Sequence, residues 1–172
     1  MAKNIEVKAR TSDLKHKLKL ALKIADGIPE SFYQKDTFFY SNKGRIKLRE
    51  FGEGYGELIY YIRDDSYGPK ESEYFITKTS DTDSLLIILD KTLGIKGIVE
   101  KNRTLILCGQ TRIHLDQVEG LGSFIELEVI LKPDQQQPEV IEIAEGIIKA
   151  LDIGENDLVD VAYIDLILGK ES

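Results

Sequence analysis

Cysteine is almost missing from this 172-residue chain. Cys108 stands alone, so no intramolecular disulfide can form, and a reducing compartment is expected. Its neighbours Leu105, Ile106 and Leu107 make it read as buried packing rather than a nucleophile. Long apolar runs are missing too. The longest, Leu85 to Leu89, falls far short of the roughly 20 residues a membrane helix needs. Met1 to Asn4 carries no apolar targeting region, so a cytoplasmic protein is expected. Repeats, biased segments and long linkers are absent; Gln135-Gln136-Gln137 is a short loop, and residues 1–172 read as a single domain. Cations are the minority, 23 Lys plus Arg against 30 Asp plus Glu. The resulting charge of -7 argues against nucleic-acid and membrane partners.

What is present is alternation. Residues 5–10, 31–40, 44–51, 56–64, 71–78, 97–107, 111–118 and 123–132 read as strands. Turn compositions separate several of them: Ser41-Asn42-Lys43-Gly44, Gly52-Glu53-Gly54 and the stretch Asp64 to Pro69. Gly120 and Gly122 read as a hairpin turn rather than a phosphate loop, because no helix follows them. Four helices are expected. The first runs from a Thr11 or Ser12 cap to about Ala25, and the second starts near Ser80. The third covers 138–151 with Pro138 in its first turn, and the last covers about 157–168. The expected fold is α+β: an eight-stranded antiparallel closed β-barrel with helices packed outside.

The charged faces carry the functional reading. Glu6, Lys8 and Arg10 share one face of the first strand, and Arg45, Lys47 and Arg49 share one of the third. Lys101 goes with Arg103, Arg112 with His114 and Asp116, and Glu126 with Glu128. Ile5, Val7, Ile46, Leu48, Ile113, Leu115, Leu127 and Val129 occupy the opposite faces and need cover. If the amphipathic helices give that cover, the charges point into the barrel. An excess of cations there wants a polyanion, and clustered carboxylates want a divalent ion. A triphosphate with bound metal meets both needs.

The motifs resemble the CYTH superfamily of triphosphate tunnel metalloenzymes, which includes class IV adenylate cyclase and thiamine triphosphatase. Asn4-Ile5-Glu6-Val7-Lys8 is similar to its Glu-x-Glu-x-Lys signature, with Asn in place of the first Glu. Asp36 to Phe39, Gly44 to Glu50, Glu57 to Arg63 and Val99 to Arg103 also match, as do Arg112 to Asp116 and Gly120 to Glu128. The last two, with Tyr163 to Ile167, look most like the class IV cyclase branch. The resemblance implies that Glu6, Glu126 and Glu128 hold Mg²⁺ or Mn²⁺. It places Lys8, Lys47, Arg49, Arg63, Lys101, Arg103 and Arg112 on phosphates, with Lys8 and Asp116 as the catalytic pair. It implies a homodimer acting on a nucleoside triphosphate or another triphosphate compound. Asn4 removes one charge from the metal cluster, for which Glu128 would compensate.

Three functions follow in order of preference: a cyclase forming cyclic AMP and pyrophosphate, a triphosphatase, and a non-catalytic polyphosphate-binding module. His114 reads as a hydrogen-bonded barrel histidine, with a general base as the alternative. His16 and Lys15, Lys17, Lys19 and Lys23 read as a solvated helix face. Of Tyr60 and Tyr61, at most one lines the tunnel.

Overall fold

The computed structural model describes residues 2–63 and 70–169, so the expected turn at Asp64 to Pro69 lies outside the described residues. Eight strands are present: β1 (Ala2–Arg10), β2 (Glu30–Phe39), β3 (Arg45–Gly52), β4 (Tyr55–Arg63), β5 (Lys70–Thr79), β6 (Ile95–Cys108), β7 (Thr111–Val118) and β8 (Gly122–Ile130). They close in the order β1-β5-β4-β3-β2-β6-β7-β8, every neighbour antiparallel. The helices are α1 (Leu14–Leu22), α2 (Thr82–Leu93), α3 (Gln137–Ala150) and α4 (Tyr163–Ile167). Among the described residues, no helix is long and apolar enough to cross a membrane.

Alternation decides which face goes where. Ile5, Val7, Ile113, Leu115, Ile125, Leu127 and Val129 turn outward and are buried beneath Ala21 of α1 and Val140, Ala144 and Ile147 of α3. Leu48 and Phe39 turn outward beneath Leu85, Leu86 and Leu89 of α2. Cys108 is half-buried at the edge of the first cluster, as its apolar neighbours suggest. Because these outer faces are covered by helices, the charged faces of the same strands have only the barrel interior left to them.

Three local expectations are corrected. Helix α1 is capped by Asp13, whose Oδ1 accepts from His16 N at 2.9 Å, not by Thr11 or Ser12, and it ends at Leu22. Lys17 is not part of a fully solvated face. Its Nζ donates to Leu151 O at 2.9 Å and Asp152 O at 2.5 Å, occupying carbonyls at the end of α3. The last helix is much shorter than 157–168. A 3₁₀ turn at Glu155–Asp157 is followed by an extended piece that adds to β1: Leu158 bridges Ala9, and Val159 N donates to Lys8 O at 2.8 Å. β-branched Val159 and Val161 suit that pairing better than a helix. Helix α4 then lies on β6 at Gly97, where an added Cβ would come within 2.6 Å of Ile164 Cδ1.

Candidate functional site

Register, rather than any single motif, assembles the interior. Cross-strand pairing sets Arg103 opposite Asp116, His114 opposite Glu126 and Arg112 opposite Glu128. It also sets Lys8 opposite Glu126, Glu6 opposite Glu128, and Asp36 opposite Arg49. All of these but Asp116, which lies buried behind Arg103, line a cavity of about 340 Å³, within the range of small-molecule sites. Tyr61 lines it and Tyr60 does not. Arg63 lies at the end of β4, and its side chain falls outside the described residues.

Two carboxylates anchor the cations. Asp36 is 1% exposed and receives both Arg49 Nε and NH2 at 2.8 Å and Lys47 Nζ at 2.7 Å. Burial alone would raise its carboxyl, but Arg49 and Lys47 overcome that and hold it well below the usual carboxylate range. Asp116, fully buried, takes Arg103 Nε at 2.7 Å and NH2 at 2.6 Å, and its Oδ2 also accepts from Tyr163 OH at 2.8 Å. Such two-pronged charge-assisted bonds fix guanidinium orientation as well as charge.

Tyr163 comes from α4, at the rim where β1 ends and β2 ends. Lys8 Nζ lies 4.1 Å from its ring centroid and Lys101 Nζ 5.2 Å. Lys8 Nζ donates to Val161 O at 3.3 Å and stands 4.0 Å from Glu126. Arg45 binds Asp165 at 2.6 Å, holding α4 against the same rim.

The third cluster is His114, Glu126 and Glu128, whose ligand atoms lie within 4.8 Å of one another and could hold a metal ion. His114 Nδ1 is buried with no hydrogen-bond partner among the described residues and stands 3.8 Å from Glu128 Oε1. Burial and then Arg103 push its pKa down to about 4, so the ring is neutral near pH 7 and carries a lone pair. Two ionised carboxylates with a neutral imidazole suit Mg²⁺ or Mn²⁺ at the carboxylates and favour Mn²⁺ if the imidazole joins. The residues therefore fit a divalent cation. Glu126 and Glu128 thus stand together; Glu6 faces the cavity across from Glu128 but lies outside this trio.

The count over the described side chains is even, and Arg63, an expected phosphate ligand, is not among them. Lys8, Lys47, Arg49, Lys101, Arg103 and Arg112 are equalled in number by Glu6, Asp36, Glu57, Asp116, Glu126 and Glu128. Carboxylates contributed from neighbouring strands cancel the Lys and Arg rows. A polyanion therefore gains most when a divalent ion has first taken up the carboxylates.

The CYTH domain matches residues 2–163. The chain belongs to the CYTH domain family. Members of this family bind triphosphate substrates in a tunnel and are generally metal-dependent enzymes, cyclases or triphosphatases. A protein of Methanocaldococcus jannaschii named as a candidate adenylate cyclase is 25% identical over 175 residues, covering 94% of this chain and 97% of its own. The PH1012 protein of Pyrococcus horikoshii shares the fold with a TM-score of 0.82 at 20% identity, over 95% of this chain and 98% of that one. A candidate adenylyl cyclase of Hippeastrum, described as having a dominant triphosphatase activity, shares it with a TM-score of 0.66 at 16% identity, over 100% and 98% of the two chains.

Sequence reasoning did not assign Asp36, Tyr163 or His114 to these clusters. Asp36 shares a face with Gln34 and Phe38, the signal that could have placed it inside. Nothing in the sequence pattern brings Tyr163, some 47 residues away, to Asp116.

Proposed function

We propose that this CYTH protein is a metal-dependent adenylate cyclase that converts ATP to cyclic AMP and pyrophosphate within the barrel. The observation that carries the reading is the His114, Glu126 and Glu128 trio standing in one cavity with Lys8, Lys101, Arg49 and Arg103. The name of the M. jannaschii relative supports the cyclase form. In this reaction the ribose 3′ oxygen bonds to the α-phosphorus. The bond from that phosphorus to the bridging oxygen breaks, its electron pair leaves with pyrophosphate, and the hydroxyl proton passes to solvent.

Mg²⁺ or Mn²⁺ held by Glu126 and Glu128 with His114, and with Glu6 beside them, would neutralise phosphate charge and acidify the attacking hydroxyl. Lys8, Lys47, Arg49, Lys101, Arg103 and Arg112 bind phosphate oxygens, and Lys8 steadies the charge growing on the leaving group. Asp36 and Asp116 orient Arg49 and Arg103 without touching substrate. The enclosing barrel limits water around these charges.

Hydrolysis of the terminal phosphate is the second reading, favoured by the activity described for the Hippeastrum neighbour. The same cations would hold the chain, with water in place of the ribose hydroxyl. Incubation with ATP, thiamine triphosphate and inorganic triphosphate, each with Mg²⁺ or Mn²⁺, separates the two by mass spectrometry of the products. Cyclic AMP with pyrophosphate, lost on chelation, establishes the cyclase. Orthophosphate without cyclic nucleotide moves the function to a triphosphatase, and binding without product leaves a polyphosphate-binding module. The homodimer implied by the family belongs to this reading; a monomer in sedimentation velocity would remove it.

A further inference from the structure

We propose that Phe32, Phe51, Ile76 and Leu105 form the subsite for the base of a nucleoside triphosphate, which lies with its base at their rim and its terminal phosphate toward α4. This rests on the reading of the cavity as a triphosphate site and fixes the direction in which the substrate lies.

The strand ends give the position. Phe32 is near the start of β2, and Phe51, Ile76 and Leu105 are near the ends of β3, β5 and β6. In an antiparallel barrel these all fall on one rim, opposite the rim carrying α4. All four line the cavity. From this rim inward the strands change character in step. The inward face of β2 runs Phe32, Gln34, Asp36; that of β3 runs Phe51, Arg49, Lys47; that of β6 runs Leu105, Arg103, Lys101. An apolar collar thus caps a charged shaft.

Exposure separates the two rims. Phe51 and Ile76 are 42% and 48% exposed. At the α4 rim, Phe38, Val99 and Phe124 are buried beneath Ala162 and Tyr163. Among the described residues the collar is therefore the more accessible mouth. A ligand made only of phosphate would gain nothing from aromatic and aliphatic side chains there, whereas a flat ring stacks on them. Glu57 lines the same mouth and can accept from an exocyclic amine such as adenine N6.

This direction sets the α-phosphate by Arg112, the second residue of β7, and by the nearby His114 and Glu128. Lys8 and Lys101, which lie over the Tyr163 ring, then take the terminal phosphate. The bond broken in cyclisation would lie on the side of the carboxylates.

Calorimetry with ATP and with inorganic triphosphate, in Ca²⁺ and with each ligand verified intact afterwards, tests the assignment on wild type, Phe51→Ser and Ile76→Ser. Both positions are surface-accessible, and circular dichroism confirms folding of each variant. The expected result is that each variant weakens ATP about tenfold, the scale of one lost base-stacking contact, while inorganic triphosphate stays within about twofold. Unchanged ATP affinity in both variants, equal weakening of both ligands, or a wild-type protein that takes inorganic triphosphate but not ATP would overturn the collar and leave the cavity a triphosphate site. Failure of wild type to bind either ligand would defeat the triphosphate reading itself, and the collar with it.

Discussion

Lys101 is 4% exposed, and its ammonium has no hydrogen-bond or ion-pair partner among the described residues. Burial, and then Arg103, pushes its pKa down from 10.5 to about 7, with Asp36 and Asp116 pulling the other way. A phosphate chain entering the shaft adds negative charge and raises it again. At about pH 8.5 the free protein holds Lys101 mostly neutral, so triphosphate binding should take up close to one proton; at about pH 6 the uptake should vanish. Calorimetry in two buffers of different ionisation enthalpy reads this number, and Lys101→Met should abolish the uptake at the higher pH. Buffer-independent heats at both pH values would rule the assignment out. The stability sign follows. Between about 7 and 10.5 the unfolded chain binds the proton that the folded one lacks, so this residue's contribution to stability rises with pH across that window. Asp36 makes the opposite case, a carboxylate that two cations require. Asp36→Ala should cost about 3–5 kcal/mol in urea unfolding, because Arg49 and Lys47 are left buried without their counter-charge. Inorganic triphosphate should recover more stability in this variant than in wild type; equal recovery would mean that these cations do not meet phosphate. The Lys and Arg rows were legible in the sequence because period-two alternation sets a face. Which carboxylates meet them was not, because that depends on which strand lies alongside and in what register.

At the scale of elements, the C-terminal segment is tied to the barrel by a strand-like addition to β1, the Arg45 to Asp165 pair and the Tyr163 to Asp116 bond. Tyr163→Phe keeps the ring under Lys8 and packed edge-on to Phe124 at 4.9 Å, yet removes one donor from a fully buried carboxylate. A loss of about 1–3 kcal/mol in thermal or urea unfolding is expected. A variant as stable as wild type would show that Arg103 alone satisfies Asp116. The eight strands and the covered apolar faces were readable because alternation and amphipathic stripes are local. The last helix was misjudged for the opposite reason. Leu158 to Ala162 has apolar residues enough for a helix, but its backbone finds β1, and a partner some 150 residues earlier leaves no local mark. Likewise Asp13, not Thr11 or Ser12, caps α1: all three can cap, and the choice belongs to the geometry of the turn out of β1.

For the whole molecule the governing feature is charge balance inside a closed wall. Closure follows from eight strands and short turns, but the balance appears only when every inward face meets around the ring. Among the described side chains the shaft's cations and carboxylates balance, so most of these cations must be freed from a carboxylate before they can turn to phosphate. Glu126 shows the competition directly. Burial would raise its carboxyl, yet Lys8, Arg103 and Lys101 together hold it well below the usual range. A divalent ion taken up by Glu126 and Glu128 would draw those carboxylates away from Lys8, Arg103 and Arg112 and release the cations for phosphate. Metal and triphosphate should therefore bind with positive coupling, at least about tenfold, or roughly 1.4 kcal/mol. Glu126→Gln separates this from simple charge addition. In chelator the variant should bind inorganic triphosphate more tightly than wild type, because one competing carboxylate is gone. In Mg²⁺ it should bind more weakly than wild type, because the coupling is lost. Calorimetry of both proteins in both conditions gives four dissociation constants. A crossing of the two orders is the expected signature, and a variant weaker in chelator as well would mean that Glu126 shapes the site rather than competes for its cations.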